Sequence, residues 1–213
     1  LTFIEGDLLN PRDINKAVKD CSIIYHMAAN PEIRIKKAGP EDHFKQNITA
    51  TYNLLEAIRR NQIDCTLIFA SSSTVYGDAE IIPTPEDYGP LVPISLYGAS
   101  KLACEALISS YSYTYDFKSA IYRLANVIGP RSNHGVIYDF TKKLNSNSKT
   151  LEVLGDGTQT KSYIHVNDCV EGFIKGEKSG ATFEIYNLGS DDTVTVLEIA
   201  EIVKDATGYT DAK

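Results

Sequence analysis

Tyr97-Gly98-Ala99-Ser100-Lys101 sets a phenol and an ammonium four residues apart in a segment with helical apolar spacing, so both side chains fall on one helix face. Two groups placed this way can meet over one substrate. A free phenol titrates near ~10 and is a poor base at neutral pH. Lowering that value by ~3 units takes about 4 kcal/mol of preferential stabilisation of phenolate, which an ammonium plus a cationic nicotinamide ring can supply in a water-poor cleft. Upstream, Leu67-Ile68-Phe69-Ala70 runs straight into Ser71-Ser72-Ser73-Thr74, a buried-strand pattern that ends in hydroxyls. Functional groups in open α/β sheets gather at the carboxyl ends of strands, where a hydroxyl can bond a substrate oxygen.

The elements that must hold these groups are readable from periodicity. Strand-like apolar runs at residues 2–5, 22–26, 65–70, 119–124 and 184–188 alternate with helical segments, the pattern of a parallel sheet flanked by helices. A first helix starts after Asn10, a capping residue, with Pro11 at its first position and Asp13 in its positively polarised first turn, and is expected to run to about Asp20. A second, over 41–61, carries Phe44, Ile48, Tyr52, Leu55 and Ile58 at three- and four-residue steps and is expected to bury that face. A third, over 96–115, aligns Tyr97, Lys101 and Glu105 in one row and Ala103, Leu107 and Tyr111 in another. A last helix is expected over 196–206.

Past Gly129-Pro130 the alternation weakens, and the stretch to Lys161 is rich in Asn, Ser, Thr and Gly. It reads as a smaller, looped lobe for substrate. The fold class is therefore α/β: a Rossmann-like doubly wound parallel sheet with a smaller C-terminal substrate-binding lobe. Residues 1–130 form the dinucleotide-binding domain, and 131–213 form mainly the substrate lobe, with some segments returning to the main sheet. The chain opens on a strand ending in Gly6-Asp7, without the strand, Gly-rich turn and helix that cradle a pyrophosphate in such folds, and stops soon after a helix. Both ends are expected to be missing.

The 213 residues suffice for a large core, and a formal charge of -7 with interspersed signs argues against nucleic-acid or anionic-membrane partners and for a small metabolite. No apolar run approaches the ~18 residues of a membrane span, and the first residues do not read as a signal peptide, so the chain reads as cytoplasmic. Cys21, Cys65, Cys104 and Cys169 lie tens of residues apart with no zinc-ligand spacing, and are expected to be free thiols with no metal site.

Together these motifs resemble the extended short-chain dehydrogenases of the NAD-dependent epimerase/dehydratase family, most closely the archaeal-type UDP-glucose 4-epimerases. The similarity covers nearly all of the chain. The family's catalytic Ser or Thr, four residues before the Tyr of Val-Tyr-Gly, falls on Ser72, and its Tyr-x-x-x-Lys falls on Tyr97 and Lys101. The resemblance implies cofactor contacts from Asp7 and Leu8, whose segment reads adenine, and from Met27, Ala28 and Ala29, where small residues let ribose and phosphate approach. It also implies contacts from Asn47, which steadies the cofactor-side backbone, and from Ser71, Tyr97 and Lys101. Substrate contacts are implied for Ser72, Ser73, Tyr97, Asn126 and Lys161. Lys161-Ser162 stands where the family usually has Arg-Asp, and lysine offers a diphosphate a point charge rather than a fork.

The implied activity is a sugar-nucleotide epimerase, interconverting UDP-glucose and UDP-galactose with NAD held throughout. Tyr97 takes the proton of the 4-hydroxyl as hydride leaves carbon 4, and hydride returns to the other face of the 4-ketosugar. Lys101 lowers the tyrosine pKa, and Ser72 bonds the reacting oxygen. A homodimer pairing the helices at 41–61 and 96–115 is also implied. Two alternatives stand beside it. A 4,6-dehydratase or reductase on the same fold is one, although dehydratases place Asp-Glu where this chain has Ser73-Thr74. A non-catalytic dinucleotide-binding sensor or scaffold is the other, although such relatives usually lose the tyrosine or lysine.

Overall fold

In the computed structural model, residues 1–33, 39–177 and 181–212 are described. They form two compact units, one of the described residues within 1–124 and 171–188 and the other of those within 125–170 and 189–212.

The first unit is built on four parallel strands in the order β1 (Ile23–His26), β2 (Thr66–Ser72), β3 (Lys118–Leu124) and β6 (Phe183–Leu188). Leu67, Ile68 and Phe69 of β2 and Ala120, Ile121 and Tyr122 of β3 are all buried, as expected of central parallel strands covered on both faces. Helix α1 (Pro11–Val18) starts where Asn10 accepts the Arg12 amide, and it buries Ile14 and Val18. These join Leu55 and Ile58 of α3 (Ala50–Arg60) and Cys104 and Ile108 of α4 (Leu96–Tyr115) in one core with Leu67, Phe69 and Ile121.

Two expectations for this unit change. Residues 2–5 form no ladder, and Leu1 and Phe3 are exposed: extended backbone becomes a strand only where a neighbour takes its hydrogen bonds, and here none does. The segment expected as one helix over 41–61 is α2 (Pro40–His43), a π-helical turn (Phe44–Thr49) and then α3. A π turn holds an extra residue and rotates the helical phase of the residues after it. Asn47, Ala50, Thr51 and Leu54 therefore turn inward, while Phe44 and Tyr52 are 59% and 43% exposed.

The second unit pairs β4 (Asn126–Ile128) parallel to β5 (Thr160–His165), and β5 antiparallel to β7 (Thr193–Thr195). The stretch after 130 is less looped than its composition indicates. Val136, Ile137, Phe140 and Leu144 recur at helical spacing, and they pack α5 (Val136–Ser146) against α7 (Val196–Thr207) through Ile199, Ala200 and Val203. A capping box starts α7: Thr195 Oγ1 accepts the Glu198 amide at 3.1 Å, and the Glu198 carboxylate accepts the Thr195 amide at 2.7 Å. Helix α6 (Val166–Gly176) follows β5 directly. No described helix is long and apolar enough to cross a membrane, and all four cysteines are free.

Ile121 is fully buried at the centre of the main sheet. Ile121→Ala is expected to cost about 2–5 kcal/mol by urea unfolding, and exposed Ile82→Ala less than about 0.5 kcal/mol.

Candidate active site

The carboxyl end of β2 and the first turns of α4 converge. Ser95 caps α4 by accepting the Gly98 amide at 3.0 Å. Beyond β2 the chain enters a short 3₁₀ turn, Ser73–Tyr76, and the two come so close that a Cβ on Gly98 would lie 2.6 Å from the Thr74 carbonyl oxygen. Gly77, at φ +66°, ends that turn against the Val92 carbonyl, where a side chain has no room. These two glycines let the serine turn seat itself on the tyrosine helix.

Ser72, Tyr97 and Lys101 are brought together here. Ser72 Oγ accepts from the Thr74 amide at 3.3 Å and from Thr74 Oγ1 at 3.0 Å, which leaves its own proton to offer to the Tyr97 side, where it acts to lower the phenol pKa. Lys101 is 2% exposed; its Nζ donates to the Ala70 carbonyl at 2.8 Å, sits 4.6 Å above the Phe69 ring and lies 5.9 Å from the Tyr97 ring centre. Burial lowers the lysine pKa to about 8, against the neighbouring Cys104 and Glu105, which raise it.

The expectation that Lys101 lowers the tyrosine pKa is not met by the polypeptide. Burial raises the Tyr97 pKa, Ser72 opposes the rise and Cys104 adds to it. The ammonium donates to the Ala70 carbonyl and sits over the Phe69 ring, and burial is the largest influence on the phenol.

The other expected residues divide. Asn47, buried on the π turn, bonds the backbone after β1: Oδ1 accepts the Asn30 amide at 2.7 Å, and Nδ2 donates to the Asn30 carbonyl at 3.2 Å and to Ser100 Oγ at 2.8 Å. It ties the β1 exit to α4. Met27 and Ala28 are exposed at that exit, with Ala29 half-buried. Asp7 Oδ1 accepts the Leu9 amide at 2.8 Å and its own amide donates to Asp13, while Leu8 packs on the core and its carbonyl accepts from Asn53.

Ser71 is buried, and its hydroxyl donates to Glu105 Oε1. Ser73 is exposed on the 3₁₀ turn. In the second unit, Asn126 Nδ2 donates to the Ser162 carbonyl at 3.0 Å, and Lys161 is exposed on β5 opposite Val194.

Two buried groups outside the expected set press on the site. His26, last in β1, shares a 2.9 Å hydrogen bond with Thr51 Oγ1 and packs on Phe69. Burial, with the Lys101 charge nearby, lowers its pKa to about 4. Cys104, below Lys101 on α4, donates to the Asn47 carbonyl at 3.4 Å. The signal for His26 in sequence was a histidine closing an apolar run, which does not separate a satisfied core residue from a site neighbour.

The His26 shift makes stability fall with acid. Above 6.5 the ring is neutral in both folded and unfolded chains. Between 6.5 and about 4 the unfolded chain takes up the proton and the folded chain does not. Urea unfolding from pH 7 to pH 4 is expected to show the wild type losing about 3 kcal/mol more than His26→Gln; equal losses contradict the assignment.

The family model described as "NAD dependent epimerase/dehydratase family" matches residues 1–189. A putative UDP-glucose 4-epimerase of Methanocaldococcus jannaschii is 30% identical over 213 residues, covering 97% of this chain and 68% of the relative. The crystal structure of a UDP-galactose 4-epimerase superposes with a TM-score of 0.85 at 45% identity, covering 95% of this chain and 67% of that one. A Bacillus cereus UDP-glucuronic acid 4-epimerase, solved with UDP-glucuronic acid and NAD, superposes with a TM-score of 0.87 at 30% identity, covering 97% and 66%. The chain thus spans about two thirds of the length of the relatives it matches. With the parallel sheet, the Ser72–Tyr97–Lys101 cluster and these likenesses in agreement, the chain belongs to the NAD-dependent epimerase/dehydratase family.

Proposed function

We propose that this protein is a cytoplasmic, NAD-dependent sugar-nucleotide 4-epimerase, with UDP-glucose and UDP-galactose as its substrate pair. The observation that carries the reading is a lysine buried to 2% exposure with its ammonium 5.9 Å from the Tyr97 ring centre, beside the hydroxyl-bearing end of β2 at Ser72. A phenol in that setting is a base, and then an acid, for one sugar hydroxyl.

The residues at the β1 exit suit a dinucleotide. Small side chains at Ala28 and Ala29 allow close approach, Asn47 holds the Asn30 backbone from beneath, and Asp7 stands exposed at a loop. Lys101 spends one N–H on Ala70 and has two more for a ribose hydroxyl. Bound NAD supplies the acceptor and donor of hydride, which the side chains of the polypeptide cannot provide.

Tyr97 takes the proton of the 4-hydroxyl and returns it at the end of the cycle. Its high pKa in the polypeptide means that phenolate must be favoured by positive charge brought next to it, so the tyrosine stays protonated until the site is assembled. Ser72 donates to the reacting oxygen, aligned by the Thr74 bonds that occupy its lone pairs. Asn126 and Lys161 are proposed to meet the nucleotide sugar. The dehydratase alternative loses support here, because Thr74 is committed to Ser72 and no acid–base pair follows the catalytic hydroxyl. Free cysteines suit a reducing compartment, and the exposed Phe44 and Tyr52 on the π turn and α3 suit a homodimer face.

The test uses the full-length protein with UDP-galactose and chromatographic detection of UDP-glucose. Interconversion without added cofactor is expected, and Tyr97→Phe is expected to lower kcat by about 10²–10⁴-fold with bound NAD retained. NAD retention without interconversion rejects this substrate pair and turns the search to other sugar nucleotides, UDP-glucuronic acid first.

A further inference from the structure

Beneath the proposed site lies a buried ion pair that the reaction does not itself require. Glu105 and Arg123 are 4% and 3% exposed. Arg123 Nη2 donates to Glu105 Oε2 at 2.8 Å, and its Nε reaches both carboxylate oxygens at 3.2 Å. Nη1 donates to the Tyr76 hydroxyl at 2.9 Å and to the Glu86 carbonyl at 3.0 Å. The same carboxylate accepts from Ser71, so every polar arm of the pair has a partner.

The pair is laid out by sheet register. Ser71, Arg123 and Asn187 are direct partners across β2, β3 and β6, one step before the row of Ser72, Leu124 and Leu188. Tyr76 donates to Asn187 Oδ1 at 2.7 Å, which closes the network over the 3₁₀ turn. On α4, Glu105 is one helical turn from Lys101, in the same buried row that begins with Tyr97. One carboxylate therefore touches the residue before Ser72 and stands a turn away from the lysine.

Burying two opposite charges does not of itself favour folding, since desolvation offsets their attraction and an apolar pair of equal volume serves as well. A reason for retaining them lies in what else the carboxylate does. We infer that Glu105, oriented by Arg123, is a positioning residue whose negative charge keeps the buried Lys101 in its ammonium form and whose bond to Ser71 sets the height of Ser72. The inference rests on the reading of Lys101 and Ser72 as site residues.

Around Lys101 the other titratable groups are Tyr97 and Cys104 on its own helix and His26 on β1. The ring of Phe69 and the carbonyl of Ala70 come from β2. His26 is neutral at pH 7 and the thiol is protonated, its value raised by burial, so Glu105 is the formal anion of the set. Arg123 comes to that anion from β3 and fixes its direction.

The experiment follows Lys101 itself, by NMR of the full chain labelled with ¹³C,¹⁵N-lysine, its resonance assigned by loss in Lys101→Arg. Three variants are compared with wild type: Glu105→Gln, Glu105→Asp, and Glu105→Gln combined with Arg123→Met, which removes both charges and orphans neither. The Lys101 midpoint is expected to fall by about one unit in Glu105→Gln and in the double variant, and to stay near wild type in Glu105→Asp. In turnover assays the alkaline limb of the pH profile is expected to move down with it. An unchanged midpoint in the folded double variant overturns the inference, as does an equal fall in Glu105→Asp, which would assign the effect to packing. The titration needs no substrate, so a wild type inert toward sugar nucleotides rejects the activity while the Lys101 midpoint still decides the role of Glu105.

Discussion

An ammonium buried to 2% exposure is the constraint around which the first unit is arranged. Taking such a charge out of water costs several kcal/mol unless the surroundings replace what water provided. Lys101 is given the Ala70 carbonyl at 2.8 Å and the face of Phe69 at 4.6 Å. Both come from β2, so the lysine can be accommodated only if α4 lies against the carboxyl end of that strand. Gly98 permits the approach, and Ser95 starts the helix where the approach requires it.

From that docking the other relations follow. Asn47 reaches the same helix through Ser100 while accepting from the Asn30 amide and donating to the Asn30 carbonyl, so the β1 exit is registered to α4 as well. His26 must be neutral where it stands, with desolvation and the lysine charge acting in the same direction, and Thr51 satisfies its ring. Lys101 thus sets a buried cation beside a phenol whose pKa burial raises. That balance makes Tyr97 a poor base until further positive charge arrives, which in the proposed reaction holds the phenol protonated until the site is assembled.

How much of this was legible beforehand depended on whether it was local. The strands at 22–26, 65–70, 119–124 and 184–188 and the helix at 96–115 follow from apolar runs and period, and all five formed. The joining of Ser72, Tyr97 and Lys101 followed from a strand end, a four-residue step and a family resemblance. The π turn at Phe44–Thr49 was not legible, because one extra residue in a turn leaves no compositional trace, and it exposed two aromatics expected inside. The partners of Ser71 were not legible for a non-local reason: only the sheet register sets it beside Arg123, and only the packing of α4 brings Glu105 to its hydroxyl. Arg123 in an otherwise apolar strand run was the visible clue, since a buried arginine must have a partner.

The proposed reaction is a reversible oxidation at one sugar carbon, with Tyr97 moving only the hydroxyl proton. The most direct measurement gives the full-length protein UDP-galactose carrying deuterium on carbon 4 and follows the label into UDP-glucose by mass spectrometry and proton NMR. The account predicts deuterium retained on carbon 4 of the product in ordinary water, since the carbon-bound hydrogen leaves and returns as hydride while solvent exchanges only the hydroxyl. Product with hydrogen from solvent on that carbon contradicts it, and would mean a proton abstracted from carbon instead.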